Sequence, residues 1–204
     1  MLDLSEMEYD ALREVGNVGV GNAATALSKM LNKKVDIFLP KTKFIPIEKF
    51  GEEVGGAESM VVSLFLEITG GIKGETIFLF PKQGALNLVD LMMFQEPGTL
   101  KQMDEMAVSA FKEMSNIFVG AYLNALANMM KIKIFPGVPS IANDMAQAVL
   151  DVVLIKLAEK VDEILVVKTQ INVEGFNIDG MYFMLFEDDS LKLVIQKLKD
   201  IYGF

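Results

Sequence analysis

The chain has 204 residues, of which 51% are apolar, and a net charge of −9. That is enough apolar material for one core, and the wrong charge for a nucleic-acid backbone, which needs clustered Lys and Arg. Cys and His are both absent, which excludes disulfides, thiolate nucleophiles, Ser-His-Asp chemistry and imidazole-bound metals, and leaves any chemistry to carboxylates, amides, Lys or hydroxyls.

The opening MLDLSEMEYD is acidic and lacks the order of a secretory signal. No apolar run approaches the roughly 20 residues of a membrane span. The expectation is a cytoplasmic protein with no membrane partner. The 14 Met and 14 Phe are read as adaptable core filler, although Met also serves surfaces that accommodate a partner.

In chain order, Asp3, Ser5 and Glu6 lead into a helix, as the positive end of a helix dipole prefers. Leu12, Val15, Ala23, Ala26 and Met30 recur at steps that give it a buried face, and it ends near Asn32 to Lys34. An extended stretch to Pro40 follows, then FIPIEKFGEEVGG. Strands are predicted over Ser59–Thr69 and Ile72–Pro81, turning at Gly70-Gly71, before a helix from about Gln83 to Phe94.

Past a joint at Glu96-Pro97-Gly98, Asp104 and Glu105 introduce a second long helix with Phe111, Met114, Leu123, Leu126 and Met129 inward. It ends near Lys131 to Lys133 and is followed by an extended stretch to Pro139. Ala142–Lys160 is predicted helical despite its β-branched Val152, Val153 and Ile155. Strands over Ile164–Val173 and Ile178–Phe186 turn around Gly175, and a helix over Ser190–Tyr202 closes the chain.

The two long helices share more than their pattern. Asp10–Pro40 aligns on Ser109–Pro139 without gaps at a constant offset of 99, matching Glu14 to Glu113, Asn17 to Asn116, Gly21 to Gly120 and Pro40 to Pro139. The expected fold is α/β (α+β), a pseudo-twofold symmetric single domain over residues 1–204 with repeat halves of about 1–97 and 98–204. Its strands merge into one largely antiparallel sheet, with the long helices packed on its face.

At about 100° per residue, positions 10, 14, 17 and 21 fall in a stripe roughly 60° wide, opposite the apolar face, and so do 109, 113, 116 and 120. A merely solvated face needs only polarity, so two diverged copies would exchange Glu for Lys, Gln or Asp. Asn is moreover a mediocre helix former. Keeping Glu three residues before Asn twice implies a requirement for those groups. Gly21 and Gly120 fit the same view, since Gly within a helix is costly unless another surface approaches closely.

The pattern Asp/Ser-x-x-x-Glu-x-x-Asn, followed by twenty-two residues and Pro, resembles the signature of the CheC, CheX and FliY phosphatases of bacterial chemotaxis, and both copies carry it. The resemblance covers the whole chain. It implies that Glu14 and Glu113 dock a phosphorylated response regulator, CheY, by pairing with a Lys beside its phosphorylation site. Asn17 and Asn116 then insert toward the aspartyl phosphate, with Asp10, Gly21, Ser109 and Gly120 on the partner-binding face. It also implies that Mg²⁺ arrives with the regulator, so that this chain needs no cofactor or metal of its own. Two intact motifs imply two sites in a monomer.

The alternative is a non-catalytic adaptor that binds CheY or the receptor deamidase CheD. Gly19-x-Gly21-x-x-Ala24 nominally satisfies a dinucleotide fingerprint, but a helix rather than a strand precedes it, and cofactor binding is rejected.

Overall fold

Local sequence sets both ends of each long helix in the same way. We describe a computed structural model covering residues 5–46, 49–53, 56–157 and 163–203. Helix α1 (Glu6–Leu31) starts at Ser5, whose hydroxyl accepts from the Glu8 N–H while Glu8 accepts from the Ser5 N–H, a capping box. Helix α4 (Glu105–Met130) starts at Asp104, whose carboxylate accepts from the Ala107 N–H at 2.8 Å.

Each helix stops at a left-handed residue, Asn32 at φ 50° and Lys131 at φ 54°. The next N–H in each case reaches back, from Lys33 to Ser28 O and from Ile132 to Ala127 O. The Ser28 hydroxyl then accepts from the Val35 N–H at 3.0 Å, which ties the end of α1 to the strand that follows.

The chain continues from α1 through β1 (Val35–Pro46), the short α2 (Phe50–Glu53), β2 (Met60–Gly70), β3 (Gly74–Pro81) and α3 (Lys82–Met92) to α4. Beyond α4 come β4 (Ile134–Pro136), β5 (Ser140–Met145), α5 (Ala146–Leu157), β6 (Glu163–Val173), β7 (Phe176–Phe186) and α6 (Asp188–Tyr202). Among the described residues the strands form one 7-stranded sheet in the order β1-β6-β7-β3-β2-β4, with β5 also paired to β2. Every pairing is antiparallel.

The hairpins follow turn chemistry. Glu174 and Gly175 both take positive φ between β6 and β7, a two-residue turn of the primed kind. Gly70 has φ 108°, and a Cβ there would stand 2.4 Å from Lys133 O, so the β2–β3 turn packs directly on the chain leaving α4.

The inner strands are apolar on both sides because both faces of the sheet are covered. On one face Phe78, Phe80 and Tyr182 pack against Phe111, Phe118 and Tyr122 of α4, with α1, α3 and α6 completing that core. On the other face Val61, Ile77, Leu79, Val166, Phe183 and Leu185 meet Ala146, Val149 and Leu150 of α5. The helical layer expected on one face is therefore joined by a helix on the second.

Three further expectations need correction. Ala142–Met145 is strand, not helix: β5 pairs residue by residue with β2, and the helix begins only at Ala146. The C-terminal end of that expectation, from residue 158, lies outside the described residues. Ala26, Met30 and Met129 are only half-buried, whereas Val20, Leu27, Leu31, Phe118 and Val119 carry the helix cores.

The extended stretch after α1 does not end at Pro40 either. β1 runs on to Pro46, with a register shift between Phe38 and Lys41. Asp3 and the side chains of Val15 and Pro40 lie outside the described part of the chain.

Candidate functional site

Helix α1 presents two unlike faces because adjacent elements demand opposite things of it. Its inner face must approach β1 and α4: a Cβ on Gly16 would lie 3.1 Å from Leu39 Cδ1, and one on Gly19 would lie 2.6 Å from Tyr122 Cδ2. Gly19 is therefore a packing glycine. Its outer face carries Asp10, Glu14, Asn17 and Gly21, all exposed. On α4, Ser109, Glu113 and Asn116 are likewise exposed and Gly120 is half-buried, while Phe111, Met114, Phe118 and Tyr122 point inward.

A groove lies over each stripe. The first, of about 460 Å³, is lined by Asp10, Arg13, Glu14 and Asn17 together with Met7, Ala11 and Tyr202. The second, of about 590 Å³, is lined by Ser109, Lys112, Glu113 and Asn116 with Met106, Ala110, Val138 and Pro139. The two linings share no residue. Gly21 and Gly120 stand outside both, one turn farther along their helices, and apart from the adjoining helix backbone no atom lies within 4 Å of where a Cβ would project from either. That open space suits the approach of an external surface.

The walls differ in charge and origin. In the first groove Arg13 donates to Asp10 at 2.9 Å across one turn, an exposed pair of small energetic weight. Tyr202 of α6 closes that groove, and its phenol is pushed above the ordinary range by burial and by the negative charge of Glu14. The end of α6 is held there by Lys199, which lies 3.1 Å from Glu8 Oε1. Glu8 in turn is held below the usual carboxylate range, chiefly by the Ser5 N–H and hydroxyl and to a smaller extent by Lys199. The second groove has no counterpart of Tyr202 in its lining. Its far wall is Val138 and Pro139, between β4 and β5, with Val138 92% exposed.

Sequence reasoning placed Asp10, Glu14 and Asn17 together, and Ser109, Glu113 and Asn116 together, and the structure brings each set into one groove. It missed Met7, Met106, Arg13, Lys112, Tyr202 and Val138. Four of these had a signal, since Met7 with Met106 and Arg13 with Lys112 obey the same offset of 99 as the motif. Tyr202 and Val138 had none, because their positions depend on how distant segments fold back.

A Glu carboxylate and an Asn amide line each groove, with Asp10 as a second carboxylate in the first. The amide is an uncharged donor and acceptor that can orient a water molecule, and the carboxylate can pair with a cation on a partner. Among the described residues no three or more His, Cys, Asp or Glu side chains converge in a metal-holding group, and no helix is long and apolar enough to cross a membrane.

Residues 7–42 match the CheC-like family and residues 62–153 match the chemotaxis phosphatase CheX family. The CheY-P phosphatase CheC of Bacillus subtilis is 32% identical over 193 residues, covering 93% of this chain and 92% of that protein. The flagellar motor switch phosphatase FliY of the same organism is 30% identical over 96% of this chain, which spans 50% of its length.

Among solved structures, Thermotoga maritima FliY superposes with a TM-score of 0.79 at 22% identity, over 98% of this chain and 99% of that one. A CheX–CheY–BeF3–Mg²⁺ complex from Borrelia burgdorferi gives a TM-score of 0.54 at 16% identity, over 84% of this chain and 97% of that one. These two likenesses concern the fold.

Proposed function

This chain belongs to the CheC family of chemotaxis phosphatases, and on that premise we propose that it hydrolyses the aspartyl phosphate of phosphorylated CheY at two sites, one on α1 and one on α4. The observation that carries the reading is the exposed Glu-Asn pair that lines each of two grooves with separate linings.

In this reading Glu14 and Glu113 pair with a Lys of the regulator and set the register of docking. Asn17 and Asn116, three residues farther along a rigid helix, then enter the regulator's site from a fixed height and angle. Phosphoryl transfer through a loose transition state depends on in-line placement of the attacking oxygen more than on a strong base, and an amide supplies that placement without repelling the phosphoryl oxygens. Water oxygen bonds to phosphorus as the bond to the aspartyl oxygen breaks. Inorganic phosphate leaves, and the regulator's carboxylate is restored.

By the family resemblance Mg²⁺ comes with the regulator, where it would neutralise charge on the phosphoryl group. The linings share no residue, which supports two separate sites for two regulator molecules; the family resemblance implies that the chain acts as a monomer. The family resemblance adds CheD as a second partner, which co-elution of the two purified proteins checks.

The deciding experiment is phosphate release from CheY phosphorylated by acetyl phosphate with Mg²⁺, comparing wild type with Asn17→Ala/Asn116→Ala. Acceleration by wild type and its loss in the double variant, with regulator binding retained, is expected. Regulator binding without any acceleration by wild type would make the chain an adaptor instead.

A further inference from the structure

The proposed reaction uses the Glu and Asn of each groove and leaves the Met at the other end of each helical lining unexplained. Met7 and Met106 lie at that end, on the same stripe as the motif, one turn before Asp10 and Ser109. They are 57% and 64% exposed, and both stand among the large apolar side chains that face solvent. They sit at the same offset of 99 that relates Glu14 to Glu113 and Asn17 to Asn116.

A single exposed Met on a first helical turn needs no explanation, because Met is a good helix former and apolar atoms cover much of any surface. Two of them do, since the neighbouring stripe positions 10 and 109 differ, Asp against Ser, while both helices carry Met at the stripe position before. A solvated first turn would accept Lys, Glu or Gln equally well. Each helix thus holds an apolar, unbranched side chain more than half in water at one end of a groove that also carries charged and polar groups.

We infer that Met7 and Met106 are the apolar anchors of regulator docking, each taking an apolar side chain of CheY next to the Lys that the groove's Glu engages. The inference rests on the proposed phosphatase reading. The division of labour is physical. A Glu–Lys pair on an exposed surface gives orientation but little affinity, whereas transfer of apolar area out of water gives affinity without direction. Met suits the second task because its flexible thioether adapts to an imperfect pocket. The anchor is a positioning and affinity residue and touches no reacting atom.

The test isolates the grooves. In an Asn116→Ala background only the first site turns over, and in an Asn17→Ala background only the second does. Met7→Ala goes into the first background and Met106→Ala into the second. Steady-state phosphate release is then followed against the concentration of acetyl-phosphate-phosphorylated CheY. The expected result is a KM roughly five- to tenfold higher with kcat unchanged, the factor for removing the contact of a half-exposed Met side chain. Met7→Leu and Met106→Leu recover most of the lost affinity, since Leu restores the apolar area. An unchanged KM in both backgrounds, or a fall in kcat at constant KM, overturns the inference while leaving the phosphatase reading standing. Failure of the wild type to accelerate release overturns both.

Discussion

Gly19→Ala and Gly21→Ala, two residues apart on α1, change stability in opposite directions. Removing a glycine from a helix interior stabilises the helix by about 0.5–1 kcal/mol, because Ala loses less backbone freedom on folding. At Gly21 nothing apart from the adjoining helix backbone lies within 4 Å of the new methyl, so the full gain is kept and the melting temperature rises by roughly 1–4 °C at about 2–4 °C per kcal/mol. At Gly19 the methyl meets Tyr122 Cδ2 at 2.6 Å, Cε2 at 2.9 Å and Cγ at 3.1 Å.

Those atoms are the body of a buried ring, itself packed edge-on against Tyr182 with centroids 5.1 Å apart. The ring cannot swing aside, which puts the overpacking cost near the upper part of its usual range, about 2–3 kcal/mol. Against a helix gain of about 1 kcal/mol this leaves a net loss of about 1–2 kcal/mol, or roughly 2–8 °C. Thermal unfolding of both variants followed by circular dichroism, with urea midpoints as a second measure, reads the difference. A Gly19→Ala protein at or above wild-type stability would refute the close approach of α1 and α4 through that residue, and a destabilised Gly21→Ala would refute the open outer face.

Other perturbations test the frame that holds the grooves. Ser5→Ala removes the capping box of α1 and lowers stability by about 1 kcal/mol in urea unfolding. Asp90 is fully buried, and its carboxylate accepts from the N–H groups of Gly98, Thr99 and Leu100 at 2.8, 3.0 and 2.9 Å. Asp90→Ala strands these donors in the joint before α4 and costs about 3 kcal/mol in the same assay. Lys43 donates to Glu53, which holds that carboxyl below its ordinary range, with Lys168 3.6 Å away. A depressed folded pKa means stability that is present above the unfolded value and lost as pH falls through the folded one. Glu53→Gln is therefore the less stable protein at pH 7, by under about 1 kcal/mol after solvent screening, and the gap narrows in a pH series of urea midpoints as the pH falls below the ordinary Glu range.

What sequence alone determined about this protein is what local geometry determines. A helix advances a fixed angle per residue, so the spacing of Asp10, Glu14 and Asn17, and of Ser109, Glu113 and Asn116, was sufficient to put each set on one outward stripe. Capping residues set where α1 and α4 begin, and the Gly175 turn set the register of β6 on β7. Even there the spacing of Met7 and Met106 carried the same signal and was absorbed into a general reading of Met as core.

Only the tertiary structure decided the rest. Ala142–Met145 became strand because β2 offers it an unpaired edge, and α5 found the second face of the sheet because Val61, Ile77 and Phe183 needed covering. Tyr202 walls the first groove and Val138 the second because Lys199 meets Glu8 and because β4 and β5 return along β2. These placements depend on contacts between residues far apart in the chain, whose free energies exist only once the intervening segments have closed, so no local pattern could announce them.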